Sequence, residues 1–139
     1  MEPPGLVIAD DDPAMREILH ALIDSLGARV LAEADNGQSA IEEVQRVKPD
    51  ILLLDVSMPV MSGFAAARFL REHEPQLLIL IVSQYHERAY AQEALDMGIS
   101  GYIMKASLAS DLGPAIEAVL SGRKFVSARV GNGVQSGAA

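Results

Sequence analysis

Short aliphatic runs recur along the chain and alternate with longer segments that have helical spacing. The runs are Leu6–Ala9, Ala28–Ala32, Ile51–Leu54, Leu77–Val82 and Tyr102–Met104. Short runs that stay largely apolar are typical of strands buried on both faces, as in a parallel sheet. The pattern therefore predicts five buried parallel strands.

The segments that follow these strands have the spacing of helices. They are Pro13–Leu26, Ser39–Val47, Gly63–His73, Glu87–Met97 and Pro114–Leu120. Asp12 is the expected N-cap of the first helix, and Gly27 is expected to end it. The last helix is predicted to begin at Pro114, because a proline inside a helix removes a backbone hydrogen bond. Alternating strands and helices predict an α/β domain with right-handed crossovers.

The periodic pattern ends after Phe125. Residues 127–139 are small, polar and rich in glycine, which is typical of a linker or a disordered tail. We therefore expect one domain over residues 1–126. A chain of 139 residues suits a single domain of this size.

The charge of the chain disfavours some classes of binding partner. The chain has 19 acidic against 11 basic residues, a net charge of −8, which disfavours binding to nucleic acid or to an anionic membrane. No apolar run approaches the roughly 18 residues of a membrane span, and no signal peptide is visible. The absence of cysteine excludes disulfides and thiolate metal sites. We expect a cytoplasmic protein that itself contacts neither nucleic acid nor membrane.

Acidic and basic side chains follow several of the predicted strands. Asp10 and Asp11 end the first strand, Asp55 the third, Ser83 the fourth and Lys105 the fifth. Ligands of open parallel sheets bind beyond the carboxyl ends of strands, where the strand order reverses. If the order is 2-1-3-4-5, these acids converge. Oxygen ligands without His or Cys favour Mg²⁺, Ca²⁺ or Mn²⁺ over zinc or copper, and a small site with one or two carboxylates fits Mg²⁺, with Mn²⁺ possible.

The residue types in this cluster suit phosphoryl transfer. A carboxylate beside a divalent ion can attack phosphorus and form an acyl phosphate. Asp55 is the candidate nucleophile because it stands alone at its strand end, whereas Asp10 and Asp11 form a pair suited to holding the metal. Lys105 can pair with an anion, and the Ser83 hydroxyl can donate to a phosphoryl oxygen.

Each of these residues also has a simpler interpretation. Asp12 is an ordinary helix cap, Asp55 could be a turn residue, and a lysine such as Lys105 is usually solvated. A serine such as Ser83 is common at a strand end, and Tyr102 could simply half cover the sheet edge. The occurrence of functional side chains at four strand ends of one sheet favours a common site.

Four segments resemble a known family, the receiver domain of bacterial two-component response regulators. They are Val7-Ile-Ala-Asp-Asp-Asp-Pro13, Ile51-Leu-Leu-Leu-Asp-Val-Ser-Met-Pro-Val-Met-Ser-Gly63, Leu80-Ile-Val-Ser83 and Gly101-Tyr-Ile-Met-Lys105. The resemblance extends from about Leu6 to about Val126. The block ending at Lys105 and the segment Ser121–Ser127 are most similar to the NarL/FixJ/LuxR-type branch, whose members usually carry a C-terminal helix-turn-helix.

The resemblance implies a flavodoxin-like, CheY-like (βα)5 fold with sheet order 2-1-3-4-5, and it assigns roles in phosphorylation to seven residues. They are the phosphoacceptor Asp55, the magnesium ligands Asp10 and Asp11 with Asp55 and the backbone carbonyl of Ser57, the switch hydroxyl Ser83, the switch aromatic Tyr102 and the phosphate-contacting Lys105.

The family also implies partners. A sensor histidine kinase would donate the phosphoryl group, and the last helix is a frequent dimer or output surface. The expected function is a phosphorylation-dependent switch, not an enzyme, that regulates transcription through a DNA-binding domain outside this chain. Four alternatives stay open: a stand-alone receiver acting through protein contacts, a degenerate receiver used only for docking, a metal-dependent phosphatase using Asp55, and a flavin or nucleotide-binding module.

Overall fold

A computed structural model of the chain describes residues 2–84 and 88–128. Its strands are β1 (Gly5–Ala9), β2 (Arg29–Ala34), β3 (Ile51–Asp55), β4 (Leu78–Ser83), β5 (Gly101–Met104) and β6 (Phe125–Val126). They form one sheet in the order β2-β1-β3-β4-β5-β6, and every neighbouring pair is parallel. The expected order of the first five strands is confirmed. The short sixth strand, beside β5, was not predicted.

Within the described residues, five helices cover the two faces of the sheet. They are α1 (Pro13–Ser25), α2 (Gly37–Val47), α3 (Gly63–His73), α4 (Arg88–Asp96) and α5 (Leu108–Leu120). Side chains of α2, α3 and α4 pack on one face of the sheet, and those of α1 and α5 pack on the other. The predicted doubly wound α/β architecture is therefore confirmed. The predicted start of the fourth helix, Glu87, lies outside the described residues.

Local signals explain where the first three helices begin. Their N-caps are Asp12, Asn36 and Ser62. Each cap side chain accepts a hydrogen bond from a backbone N–H two or three residues further on, which satisfies a donor that the helix itself leaves free. The predicted cap role of Asp12 is confirmed.

The prediction that the last helix begins at Pro114 is wrong. A single 3-10 turn over Lys105–Ser107 leads directly into α5 at Leu108, and Pro114 lies inside this helix. Leu108 and Leu112 are buried before the proline. Their burial outweighs the one backbone hydrogen bond that a proline removes, so tertiary packing overrides the local helix-breaking signal.

The chain stays attached to the sheet slightly beyond the expected domain end. Ser127 was expected to begin the tail, but it is buried, with 2% of its surface exposed. Its backbone N–H donates to the carbonyl of Tyr102 at 3.0 Å. The rest of the expected tail, residues 129–139, lies outside the described residues.

None of the helices in the described part of the chain has the length and apolar character needed to cross a membrane. The carboxyl ends of all six strands lie at one edge of the sheet, because every strand runs in the same direction. The loops after β1, β3, β4 and β5 therefore meet there.

Candidate functional site

The loop after β1 holds its first acid in a fixed position. Asp10 is 1% exposed, its backbone N–H donates to Ala34 O at 3.0 Å, and its Oδ1 accepts from the N–H of Asp12 at 2.9 Å. Arg16 of α1 donates from Nη1 to the Asp10 carbonyl at 2.7 Å. The loop is therefore held by β2 on one side and by α1 on the other.

The loop after β3 folds back tightly onto Asp55. Gly63, the first residue of α3, lies so close that a Cβ there would be 1.9 Å from the backbone oxygen of Asp55. Glycine is therefore required at this position. Within the same loop Val60 has φ +67° and is 84% exposed. A β-branched residue in the left-handed region is strained.

The two loops and the end of β5 enclose an open cleft of about 290 Å³. Acidic groups dominate its lining, which consists of Asp10, Asp11, Asp12, Asp55, Ser57, Gln84 and Lys105. Carboxylate oxygens of Asp10, Asp11 and Asp55 all lie within 4.8 Å of one another. Carboxylates this close repel one another, so the cleft favours the binding of a cation.

Lys105 supplies one positive charge to this cluster. Its Nζ lies 3.1 Å from Asp10 Oδ2 and 3.4 Å from Asp55 Oδ1. Burial of the ammonium lowers the pKa of Lys105, but attraction to Asp55 and Asp10 outweighs this, and the pKa is raised overall. The lysine is therefore charged, and it connects the ends of β1, β3 and β5.

The surroundings of Asp55 disfavour its negative charge. Burial, and then repulsion by Asp10, raise the pKa of Asp55 from 3.8 to about 6. Lys105 and a hydrogen bond from the Ser57 backbone N–H act in the opposite direction but do not compensate. In the absence of a further cation, the carboxylate is held in an unfavourable ionised state at neutral pH.

The residues present fit a hard divalent cation such as Mg²⁺. All donors are oxygens, and Asp10 and Asp55 are buried while Asp11 is exposed, which suits an ion that keeps part of its water. Asp10 Oδ2 is buried and receives no hydrogen bond of good geometry from any described residue. The Lys105 ammonium lies 3.1 Å from it. One lysine is therefore shared by two buried carboxylates, which leaves room for a second positive charge.

The structure brings together five of the seven predicted site residues. Asp10, Asp11, Asp55, Ser57 and Lys105 line one cleft. The other two are buried outside that lining. Ser83 is 1% exposed at the end of β4, and Tyr102 is fully buried in the core. Tyr102 therefore does not half cover the sheet edge.

Two polar residues near the cleft were missed from the sequence. Gln84 lines the cleft directly after Ser83. Arg16 also binds Glu33 of β2, with Nε 3.1 Å from Oε1, and so ties the Asp10 backbone to β2. The only sequence signal for Arg16 was its position on the first turns of the helix that follows the acidic loop.

Comparison with known families gives a match over most of the chain. A family model described as "Response regulator receiver domain" matches residues 6–117. This range contains all seven predicted site residues.

Individual relatives agree with that match. The chain is 32% identical over 123 residues to the transcriptional activator protein ExaE of Pseudomonas putida, covering 88% of this chain and 58% of the relative. It is 34% identical over 122 residues to the probable transcriptional regulatory protein NarL of Mycobacterium tuberculosis, covering 87% and 56%. The chain thus spans a little over half the length of these relatives.

Solved structures share the fold closely. A LuxR-family two-component response regulator from Aurantimonas sp. SI85-9A1 superimposes with a TM-score of 0.88 at 33% identity, over 93% of both chains. The signal receiver domain of the putative response regulator NarL from Mycobacterium tuberculosis gives 0.81 at 34% identity, over 88% of this chain and all of that one.

Proposed function

Because the chain belongs to the response regulator receiver domain family, in its NarL/LuxR-type branch, we propose that it is a switch phosphorylated on Asp55 by a sensor histidine kinase. The observation that carries the proposal is the Asp55 carboxylate itself. It is buried at the end of β3 and opens into a cleft shared with Asp10, Asp11 and Lys105.

In the proposed reaction a carboxylate oxygen of Asp55 attacks the phosphorus of a phosphohistidine. A P–O bond forms, the P–N bond breaks, and the imidazole leaves with its electron pair and takes up a proton. Lys105, whose Nζ lies 3.4 Å from Asp55 Oδ1, would pair with the transferred phosphoryl group. Phosphoryl transfer depends mainly on positioning and charge neutralisation, which this lysine supports.

The metal site is proposed from the same cleft. Asp10, Asp11 and Asp55, with the carbonyl of Ser57, would hold Mg²⁺. The ion would neutralise negative charge on the carboxylates and on the phosphoryl group.

The response to phosphorylation is proposed to involve the two buried residues outside the cleft. The Ser83 hydroxyl would donate to a phosphoryl oxygen, and Tyr102 on the adjacent strand would repack as Ser83 moves. Ser83 and Met104 are register partners in β4 and β5. Such a change selects between two pre-existing conformers and alters the surface that partners recognise.

The wider assignments follow from this role. We propose a cytoplasmic receiver domain over residues 1–126, with no enzymatic activity beyond slow self-dephosphorylation. Its output would be transcriptional, through a DNA-binding domain outside this chain. Self-association also stays a prediction. The half-exposed Leu26 and Leu120 line an apolar cavity between α1 and α5 that would suit such a contact.

Phosphorylation by acetyl phosphate tests the proposal without the kinase. We expect the chain to take up one acid-labile, hydroxylamine-sensitive phosphoryl group in Mg²⁺ and none in EDTA. Asp55→Asn should abolish the uptake. Asp50→Asn is the matched control, because it makes the same substitution at the opposite end of the sheet, and should leave the uptake intact. Uptake by folded Asp55→Asn protein would overturn the assignment.

A metal-dependent phosphatase is the second candidate, since Asp55 beside a metal could also react with phosphomonoesters. It predicts sustained turnover of p-nitrophenyl phosphate that depends on Asp55. A single stoichiometric phosphorylation without turnover supports the switch instead.

A further inference from the structure

Ser127 makes a buried polar contact where the chain leaves the sheet. Its backbone N–H donates to the Tyr102 carbonyl at 3.0 Å, and its Oγ accepts from the Met104 N–H at 3.0 Å. Only 2% of the residue is exposed. Ser127 therefore continues the pairing of β6 with β5 as far as the last residue of β5.

The same hydroxyl also reaches the last helix. Ser127 Oγ donates to Asp111 Oδ2 at 2.6 Å, a short distance typical of a hydrogen bond to a carboxylate. Asp111 lies in the first turn of α5, where the helix dipole favours a negative charge. We call the Met104 N–H, Ser127 and Asp111 the exit clasp. It uses both the donor and an acceptor site of one hydroxyl.

The exit clasp is adjacent to the proposed phosphorylation site. Met104 directly precedes Lys105, whose ammonium lies between Asp10 and Asp55. A phosphoryl group on Asp55 would carry about −2 charge in place of the −1 of the carboxylate, and would attract this ammonium more strongly. Because Met104 and Lys105 are joined by a peptide bond, a shift that reached the Lys105 backbone would also move Met104, and hydrogen bonds weaken steeply when they are misaligned.

We propose that Ser127 is a positioning residue that couples the state of Asp55 to the exit of the chain. The clasp is closed when Asp55 is unmodified. It opens when Asp55 carries a phosphoryl group, and this frees Ser127 from its hydrogen bonds to β5 and α5. The inference rests on the proposed function, because it requires phosphorylation at Asp55.

Coupling of this kind is reciprocal. If a group on Asp55 opens the clasp, then removing the clasp must favour binding of that group by the same factor. The coupling can therefore be tested in two ways, by amide exchange at Met104 and Ser127 and by the affinity of the Asp55 site for an analogue of the phosphoryl group.

The first test measures amide hydrogen exchange by NMR on the wild-type 139-residue chain in Mg²⁺, with and without beryllofluoride as the acyl-phosphate analogue. We expect beryllofluoride to speed exchange at Met104 and Ser127 by about fivefold or more. The Phe125 amide, which donates to Ser100 O at the other end of β6, is the internal control and should change little.

The outcomes separate the two proposals. Unchanged or slower exchange at Met104 and Ser127 in a chain that binds beryllofluoride overturns the coupling and leaves the proposed function in place. A chain that does not bind beryllofluoride overturns both.

The second test measures beryllofluoride affinity in variants. Ser127→Ala removes the hydroxyl and should bind about fivefold more tightly than wild type. Asp111→Asn keeps an acceptor without the charge and should show a smaller gain. Ser110→Ala is the matched control, because its hydroxyl also contacts Asp111, at 3.3 Å from Oδ1, but from the exposed side.

Wild-type affinity in both Ser127→Ala and Asp111→Asn would overturn the coupling. A purely structural role of Ser127 predicts lower stability without tighter analogue binding. If Ser127→Ala does not fold, the beryllofluoride affinity of Asp111→Asn and the exchange experiment on the wild-type chain still test the coupling.

Discussion

The two ends of the sheet use acidic residues in opposite ways. At the amino end, Asp50 is exposed and its Oδ2 accepts a hydrogen bond from the Gly5 N–H at 2.8 Å. At the carboxyl end, Asp10 and Asp55 are buried and share the ammonium of Lys105. The first arrangement ties β1 to the loop before β3. The second places like charges beside one another.

This difference shows that the acid at the amino end stabilises the folded chain, whereas the acids in the cleft at the carboxyl end lower its stability. An acid that accepts a backbone hydrogen bond stabilises the folded chain. An acid whose pKa is raised to about 6 by burial and by a neighbouring acid destabilises it at neutral pH. The strained Val60 lies at the same end. The carboxyl end is therefore expected to gain stability from substitutions that would weaken other parts of the molecule.

The largest effect is expected in the core between the two ends. Leu53 is 1% exposed in the middle of β3, and Leu53→Ala should lower the free energy of unfolding by about 2–5 kcal/mol, because it removes buried methyl groups and leaves a cavity. Urea denaturation measures this. A loss below about 1 kcal/mol would contradict the packing described here.

The next largest change in the free energy of unfolding should be an increase, in the variant Asp55→Asn. A raised carboxyl pKa means that stability is present below the ordinary value of 3.8 and is lost as the pH rises through about 6. Asp55→Asn removes this loss, so it should stabilise the metal-free protein by about 1–3 kcal/mol at pH above about 7. Below about pH 3.8 the gain should vanish, and Mg²⁺ should reduce it by stabilising the wild type.

Asp50→Asn is the matched control for this comparison. It weakens a charge-assisted hydrogen bond to the Gly5 N–H and should destabilise the protein by about 0.5–1 kcal/mol. If both substitutions change stability in the same direction at neutral pH, the contrast between the two ends is wrong.

A smaller gain in stability than that of Asp55→Asn is expected in the loop after β3. Val60→Asn should raise the free energy of unfolding by about 1 kcal/mol, because asparagine tolerates a positive φ better than valine does, and the 84% exposed valine loses little burial. Val60→Ala removes the β-branch but lacks the short polar side chain with which asparagine stabilises a positive φ, and it should gain less. Equal stability of all three proteins would show that Val60 is not strained.

The sequence was sufficient to predict most of the fold and the meeting of the site residues. Aliphatic runs specified the five main strands, and parallel direction alone brings Asp10, Asp55 and Lys105 to one edge. The helix that contains Pro114 was misjudged, because burial of Leu108 and Leu112 depends on the tertiary structure. Propensity describes only the local cost of a proline.

Other features depend on contacts that no local pattern encodes. β6 has only two residues, so its pairing with β5 leaves no periodic signal. Ser127 looked like the start of a polar tail, since its partners Met104 and Asp111 are distant in the chain. Val60 adopts a positive φ in the tight loop between Asp55 and Gly63, and a valine gives no sequence signal for that conformation.

Identification of the phosphorylated residue decides whether Asp55 is the phosphoacceptor. The chain is incubated with acetyl phosphate and Mg²⁺, reduced with borohydride, which converts a phosphorylated aspartate to homoserine, and mapped by peptide mass spectrometry. We predict homoserine at position 55 and at no other aspartate. Homoserine elsewhere, with Asp55 unmodified, would contradict the assignment of the site.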